Sequence, residues 1–150
     1  HLRLCLPCLF EASAFLCGLP AAIAAHDKTG RLAGLRVDPT TKVLANEPGV
    51  AHRVHLDWKG GDQNLRMVTC ILYLNAEDFT EEHQGALRIY HELATEEEGS
   101  AVRVSPPSGD SPFTDVAPLA GRLVLFLSRR VWHEALPATR DPYGVTLWVP

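Results

Sequence analysis

A chain of 150 residues with 46% hydrophobic positions, 21% charged positions and a mean hydropathy of −0.02 has the make-up of one globular domain. Disordered, collagenous and coiled-coil proteins are excluded on that composition. The formal net charge of −4 and a pI of about 5.9 give no attraction to a nucleic-acid backbone or an anionic membrane, so neither is expected as a partner.

The N-terminal stretch is apolar: Leu4, Leu6, Leu9, Phe10, Phe15 and Leu16 sit close together, interrupted by Glu11-Ala12-Ser13. The pattern predicts a buried helix over about Cys8 to Cys17, ended by Gly18 and Pro20, with a further helical turn over Ala21 to Lys28. The first 25 residues are apolar enough to suggest a signal peptide, but Arg3 is a thin positive region and Glu11 interrupts the run; no stretch reaches membrane length. The chain begins at His1 rather than Met, which reads as a fragment lacking its native N-terminus. Of the four cysteines, Cys5 and Cys8 have knuckle spacing but no second pair follows. Cys5, Cys8, Cys17 and Cys70 therefore read as small core hydrophobes in reducing surroundings, which favours a cytoplasmic or nuclear setting.

From Lys42 the texture changes to short extended segments. Strands are predicted over Lys42–Ala45, Val50–Trp58, Met67–Leu74, Ala86–Tyr90, Val102–Val104, within Leu119–Ser128, and over Tyr143–Val149, with a helical turn at Phe79–Gln84. Glu96-Glu97-Glu98 reads as a solvated loop. A helical support over 1–41 ahead of a β core over 42–150 predicts one mainly β domain, a helix-supported sandwich or barrel.

The chemistry concentrates at His55-Leu56-Asp57. Residues two apart in a strand share a face, so an imidazole and a carboxylate project together while Leu56 packs on the other side. His133, after the LVLFLS strand, is the candidate third ligand. Two histidines and one carboxylate on one face leave the opposite coordination positions open, the arrangement of non-haem Fe(II) oxygenases. His1, His26, His52, His83 and His91 read as surface or packing residues. His52 lies at odd spacing from His55, so a regular strand would turn it away from the site.

From about Val43 to Trp148 the chain resembles the prolyl 4-hydroxylase-type 2-oxoglutarate/Fe(II) dioxygenases, and most nearly the branch that acts on hypoxia-inducible factor. The resemblance is carried by Arg53-Val54-His55-Leu56-Asp57, Gly61-Asp62, Val68–Asn75 (VTCILYLN), Gly85–Tyr90 (GALRIY), Arg122–Phe126 (RLVLF), His133–Ala138 (HEALPA) and Tyr143–Trp148 (YGVTLW), in that order. It implies a double-stranded β-helix (jelly roll, cupin-like). It implies Fe(II) held by His55, Asp57 and His133, with 2-oxoglutarate and O2 as co-substrates and ascorbate as the reductant. A proline in a peptide or protein would be hydroxylated, with succinate and CO2 as co-products. Tyr73 matches the tyrosine that bonds the outer carboxylate of 2-oxoglutarate, and Thr146 and Leu87 match positions lining the pocket. Trp58–Leu65 corresponds to a mobile loop over the substrate, or is an ordinary hairpin connection.

The pattern departs at one position. The family's basic residue on the last strand, which pairs with the outer carboxylate, falls here on Pro142. Arg140 shares the required face in an extended strand but is displaced by about 6.6 Å. The anchor is therefore Arg140, another cation such as Arg88 or Arg122, or weak binding of the co-substrate. Three functions stay open: hydroxylation of a peptidyl proline, oxygenation of another residue or a small molecule, and a catalytically weakened metal-binding scaffold. A zinc hydrolase ranks last, because no His-Glu-x-x-His helix is present.

Overall fold

The computed structural model describes residues 7–36, 41–45, 49, 51–58, 64–94 and 106–150, giving the backbone alone for 7–9 and 41–45. The elements run α1 (Pro7–His26), β1 (Thr41–Ala45), β2 (His52–His55), β3 (Val68–Tyr73), a 3-10 turn (Glu81–His83), β4 (Leu87–Leu93), β5 (Phe113–Val116), β6 (Leu123–Leu127), β7 (Val131–Ala135) and β8 (Tyr143–Val149). The strands form two four-stranded sheets, ordered β1-β8-β3-β6 and β2-β7-β4-β5, antiparallel throughout. Odd and even neighbours alternate in each sheet because the chain crosses from one to the other at nearly every connection. This is jelly-roll order, as expected for a cupin-like fold.

The alternation of side chains along β3 and β8 builds two cores. All six residues of β3 are buried, so the strand is covered on both faces and carries β-branched and aromatic side chains rather than an apolar–polar alternation. Val68, Cys70 and Leu72 join Val145, Leu147, Val149 and Leu16 of α1 in one cluster, with Ala12, Leu19 and Ile23 packed against it. Ile71 and Tyr73 point the other way and meet Leu87 and Phe126 between the sheets. Burial pushes the Cys70 thiol up to about 11, so it behaves as a packed, unreactive hydrophobe.

α1 is longer and less buried than expected. It continues through Gly18 and Pro20 to His26, and only the stripe through Ala12, Leu16, Leu19, Pro20 and Ile23 faces the sheet. Pro20 removes the N–H that Leu16's carbonyl would accept, but burial of both residues below 2% exposure holds the helix together across the defect. Phe10 and Phe15 stay exposed.

β5 and β7 lie outside the predicted strands, and β6, expected to be buried, is only half-buried, with Leu125 and Leu127 exposed. β6 is the edge of its sheet and its outer face lies beyond α1, which explains the exposure. The loop between β7 and β8 is fastened to the start of β4: Gly85 N–H donates to Pro137 O at 3.0 Å, Thr139 N–H donates to His83 O at 2.9 Å, and Gln84 bridges Ala138. Gly85 has φ +75 and passes so close that a Cβ there would lie 2.7 Å from Ala138 Cβ. Residues 59–63 of the expected mobile loop, the glutamates 96–98 and the expected strand at 102–104 lie outside the described residues. No described helix is long and apolar enough to cross a membrane.

Candidate metal centre

β2 and β7 lie side by side, and their register sets His55 opposite His133. The two rings face each other with centroids 4.3 Å apart. β2 ends at His55; Asp57 lies two residues on, in a bend, and Leu56 is buried. Asp57 Oδ1 is 3.7 Å from His55 Nε2 and Asp57 Oδ2 is 3.8 Å from His133 Nε2. These separations are too long for hydrogen bonds. They suit ligands of one ion, since donors about 2 Å from a common cation stand about 3–4 Å apart. One ligand atom from each of the three residues lies within 4.8 Å of the others.

Hydrogen bonds behind the ligands fix which atoms face inward. His55 Nδ1 lies 2.7 Å from Arg53 O, and His133 Nδ1 lies 3.1 Å from Val131 O. A carbonyl only accepts, so each Nδ1 carries a proton, and in the neutral ring Nε2 is the nitrogen left to bind a metal. Burial is the main cause drawing the His133 pKa below its usual value, which keeps the ring neutral and ligating. Thr69 Oγ1 donates to Asp57 Oδ2 at 2.6 Å and stands 2.8 Å from Ser128 Oγ. Since Thr69 has one proton to give, Ser128 donates in turn. Thr69 and Ser128 are both fully buried. Arg66 Nη1 donates to Asp57 O at 3.1 Å and holds the bend. Sequence reasoning singled out none of these three. Thr69 was within its reach, because it shares strand parity with Tyr73; Ser128 and Arg66 join the site only through the fold.

A pocket of about 150 Å³ opens on the three ligands. Tyr73, Leu87 and Thr146 line it, as do Ile71, Ala135, Pro142, Gly144 and Trp148. Burial pushes the Tyr73 hydroxyl up to about 12, against a smaller opposing pull from Arg122, so it stays a protonated donor. Thr146 Oγ1 and Trp148 Nε1 are buried with no hydrogen-bond partner among the described residues. Two unpartnered polar groups two residues apart on one strand face leave donors open to whatever occupies the pocket.

Two expectations about the surroundings change. His52 also lines the pocket, because an irregularity in the β2–β7 register between His52 and His55 resets the strand parity. Arg140 does not line it. β8 starts at Tyr143, so strand alternation does not extend back to residue 140, and Arg140 instead pairs with Asp78 at 3.0 Å on the surface. Arg88 is held by Asp115 through two bonds of 2.8 Å. Arg122 donates to Ala117 O at 2.7 Å.

The model of the 2OG-Fe(II) oxygenase superfamily matches residues 41–150. This chain belongs to that superfamily. The match runs from β1 through β8 and takes in all three candidate ligands and the pocket, leaving residues 1–40, with α1, outside it. Similar curated proteins include Egl nine homolog 1 of Rattus norvegicus, 34% identical over 124 residues, which are 80% of this chain and 31% of that protein. Prolyl hydroxylase EGLN3 of Homo sapiens is 35% identical over 101 residues, 67% of this chain and 35% of that protein. The chain thus spans about a third of the length of the curated relatives it matches. Among solved structures, a Pseudomonas putida prolyl-4-hydroxylase aligns with TM-score 0.55 and 35% identity over 72% of this chain and 50% of that one. A prolyl 4-hydroxylase from Phytophthora capsici gives 0.67 and 27% over 93% and 42%. A prolyl hydroxylase of Trichoplax adhaerens, solved with a hypoxia-inducible-factor peptide fragment, gives 0.56 and 27% over 80% and 48%.

Proposed function

We propose that this chain is an Fe(II)-dependent dioxygenase that hydroxylates a proline in a peptide or protein and consumes a 2-oxoacid, with 2-oxoglutarate as co-substrate and succinate and CO2 as co-products. The observation that carries the reading is the convergence of two imidazole nitrogens and a carboxylate on one side of a pocket whose other side is lined by hydroxyl and indole donors. The prolyl hydroxylases among its relatives support proline as the target, and the peptide-bound Trichoplax structure supports a peptide or protein as the substrate.

The donor set fits iron. Bound there, Fe(II) would supply the redox and Lewis-acid chemistry that O2 activation needs, with ascorbate keeping it reduced. His55, Asp57 and His133 hold the ion from one side and leave the pocket side to small ligands. Arg53 O, Val131 O and Thr69 keep the three ligands in position, so little reorganisation accompanies loading. Tyr73 and Thr146 offer O–H donors to the far end of the co-substrate, while Ile71 and Leu87 keep that part of the cavity dry. His55 is the more exposed imidazole and His133 the buried one, which turns the His55 side toward an incoming substrate.

The test is turnover. With Fe(II), ascorbate, O2 and 2-oxoglutarate, the protein is expected to release succinate and to add one oxygen atom to members of a proline-centred peptide library, read by mass spectrometry. Succinate release without oxygen on any peptide would move the substrate to another residue or a small molecule. Iron binding with no 2-oxoacid binding would make the chain a metal-binding scaffold, a reading favoured by the lack of a cationic side chain among the described pocket-lining residues.

A further inference from the structure

We propose that the far end of the co-substrate is received by the neutral hydrogen-bond donors of β3 and β8, so that the chain accepts a 2-oxoacid with an uncharged, hydrogen-bond-accepting far end nearly as well as 2-oxoglutarate. The inference rests on the co-substrate reading above and narrows it. A 2-oxoglutarate ion has two carboxylates. One joins the keto group in chelation, and the other must be desolvated inside the pocket. Burying a carboxylate is costly unless a cation faces it.

Among the described residues that line the pocket there is no lysine or arginine. Its ionisable groups other than Tyr73 and Tyr143 are Asp57, His55 and His133, which converge on the metal position, and His52, which stands on the facing sheet opposite Ala135. The arginines around the pocket are engaged elsewhere. Arg66 holds Asp57 O and lies 3.9 Å from the Trp148 ring centroid, Arg88 pairs with Asp115, Arg122 bonds Ala117 O, and Arg140 pairs with Asp78. What the pocket does offer is uncharged. Thr146 Oγ1 and Trp148 Nε1 are buried on the inner face of β8 without partners among the described residues, and Tyr73 lines the same wall from β3. O–H and N–H donors of this kind bond an ester or amide carbonyl as readily as a carboxylate, and a neutral group costs far less to desolvate. Pro142, itself a buried part of the lining, brings neither charge nor N–H to this end of the pocket.

The experiment is a calorimetric titration of the anaerobic Fe(II)-loaded protein with 2-oxoglutarate and, separately, with its 5-methyl ester. The wild-type protein is expected to bind the two within about fivefold of each other. Pro142→Arg is expected to tighten 2-oxoglutarate roughly 10- to 100-fold, the gain of a charge-assisted pair, and to leave the ester unchanged. A wild-type preference for 2-oxoglutarate of a hundredfold or more would overturn the inference while leaving the functional reading intact. In that event Lys42, whose Cα pairs with that of Thr146 across β1 and β8, is the residue to replace, and loss of the preference in Lys42→Met would assign the anchor to β1. Iron binding with neither 2-oxoacid bound would overturn the functional reading and this inference with it. The wild-type comparison decides the matter even if Pro142→Arg fails to fold.

Discussion

Asp57 is an acceptor on both oxygens, and the fold commits one of them to Thr69 before any metal arrives. That bond orients the carboxylate and sets which oxygen is left for the ion. Thr69→Val keeps the shape of a fully buried side chain but removes the donor, and it also strands the Ser128 hydroxyl. The expected result is a 10- to 100-fold loss of Mn(II) or Fe(II) affinity by calorimetry with the far-ultraviolet spectrum unchanged. Unaltered affinity would show that the Thr69–Ser128 pair serves packing alone. At this scale His55, Asp57 and His133 were legible as candidates from residue type and resemblance, although Asp57 stands in a bend beyond β2 and not on the strand whose parity was counted. Thr69 was hidden by its surroundings in an apolar strand. Arg140 was misplaced because parity was counted back from β8 past Pro142, where the chain is no longer a strand.

Elements position the pocket through a few close approaches. Gly85 and Gly121 share nearly the same positive φ, +75 and +72, but a Cβ at Gly85 would strike Ala138 whereas one at Gly121 meets nothing within 4 Å. The backbone penalty of an alanine is therefore common to both, on the order of 1 kcal/mol. The clash adds to it only at Gly85, where the loop carrying Pro137 to Pro142 is fastened to β4. Gly85→Ala is expected to cost at least about 2 kcal/mol more than Gly121→Ala in urea unfolding. Equal losses would mean that the loop shifts freely. Short runs of β-branched and aromatic residues made β3 and β8 readable, because both are covered by α1 on one side and by the facing sheet on the other. Patterning also placed β6 within Leu119–Ser128, though as an edge strand β6 is half-exposed, and it missed β7, a five-residue strand in which His133 and Glu134 interrupt the apolar pattern. It failed for His52 because a register irregularity adds a residue that no spacing rule anticipates.

At the scale of the molecule, metal binding and folding are linked. The ligands come from β2, the bend after it, and β7, so an ion at the centre joins strands far apart in sequence and binds only the folded chain. At a hundred times its dissociation constant an ion adds about 2.7 kcal/mol to stability, a rise of roughly 5–10 °C in Tm for a domain of this size. A chelator should reverse it, and Asp57→Ala should abolish it; a rise of the same size in Asp57→Ala would place the ion elsewhere. A sandwich or barrel was legible as a class from short strands behind a helix, and the resemblance narrowed it to a jelly roll; the strand order was not legible, since the crossings between sheets leave no mark in composition. The central claim is that His55, Asp57 and His133 hold one ion. Anomalous diffraction from crystals soaked in Mn(II) tests it most directly. One peak is expected within bonding distance of both Nε2 atoms and an Asp57 oxygen. Full Mn(II) occupancy at a position that His133 does not touch would contradict it.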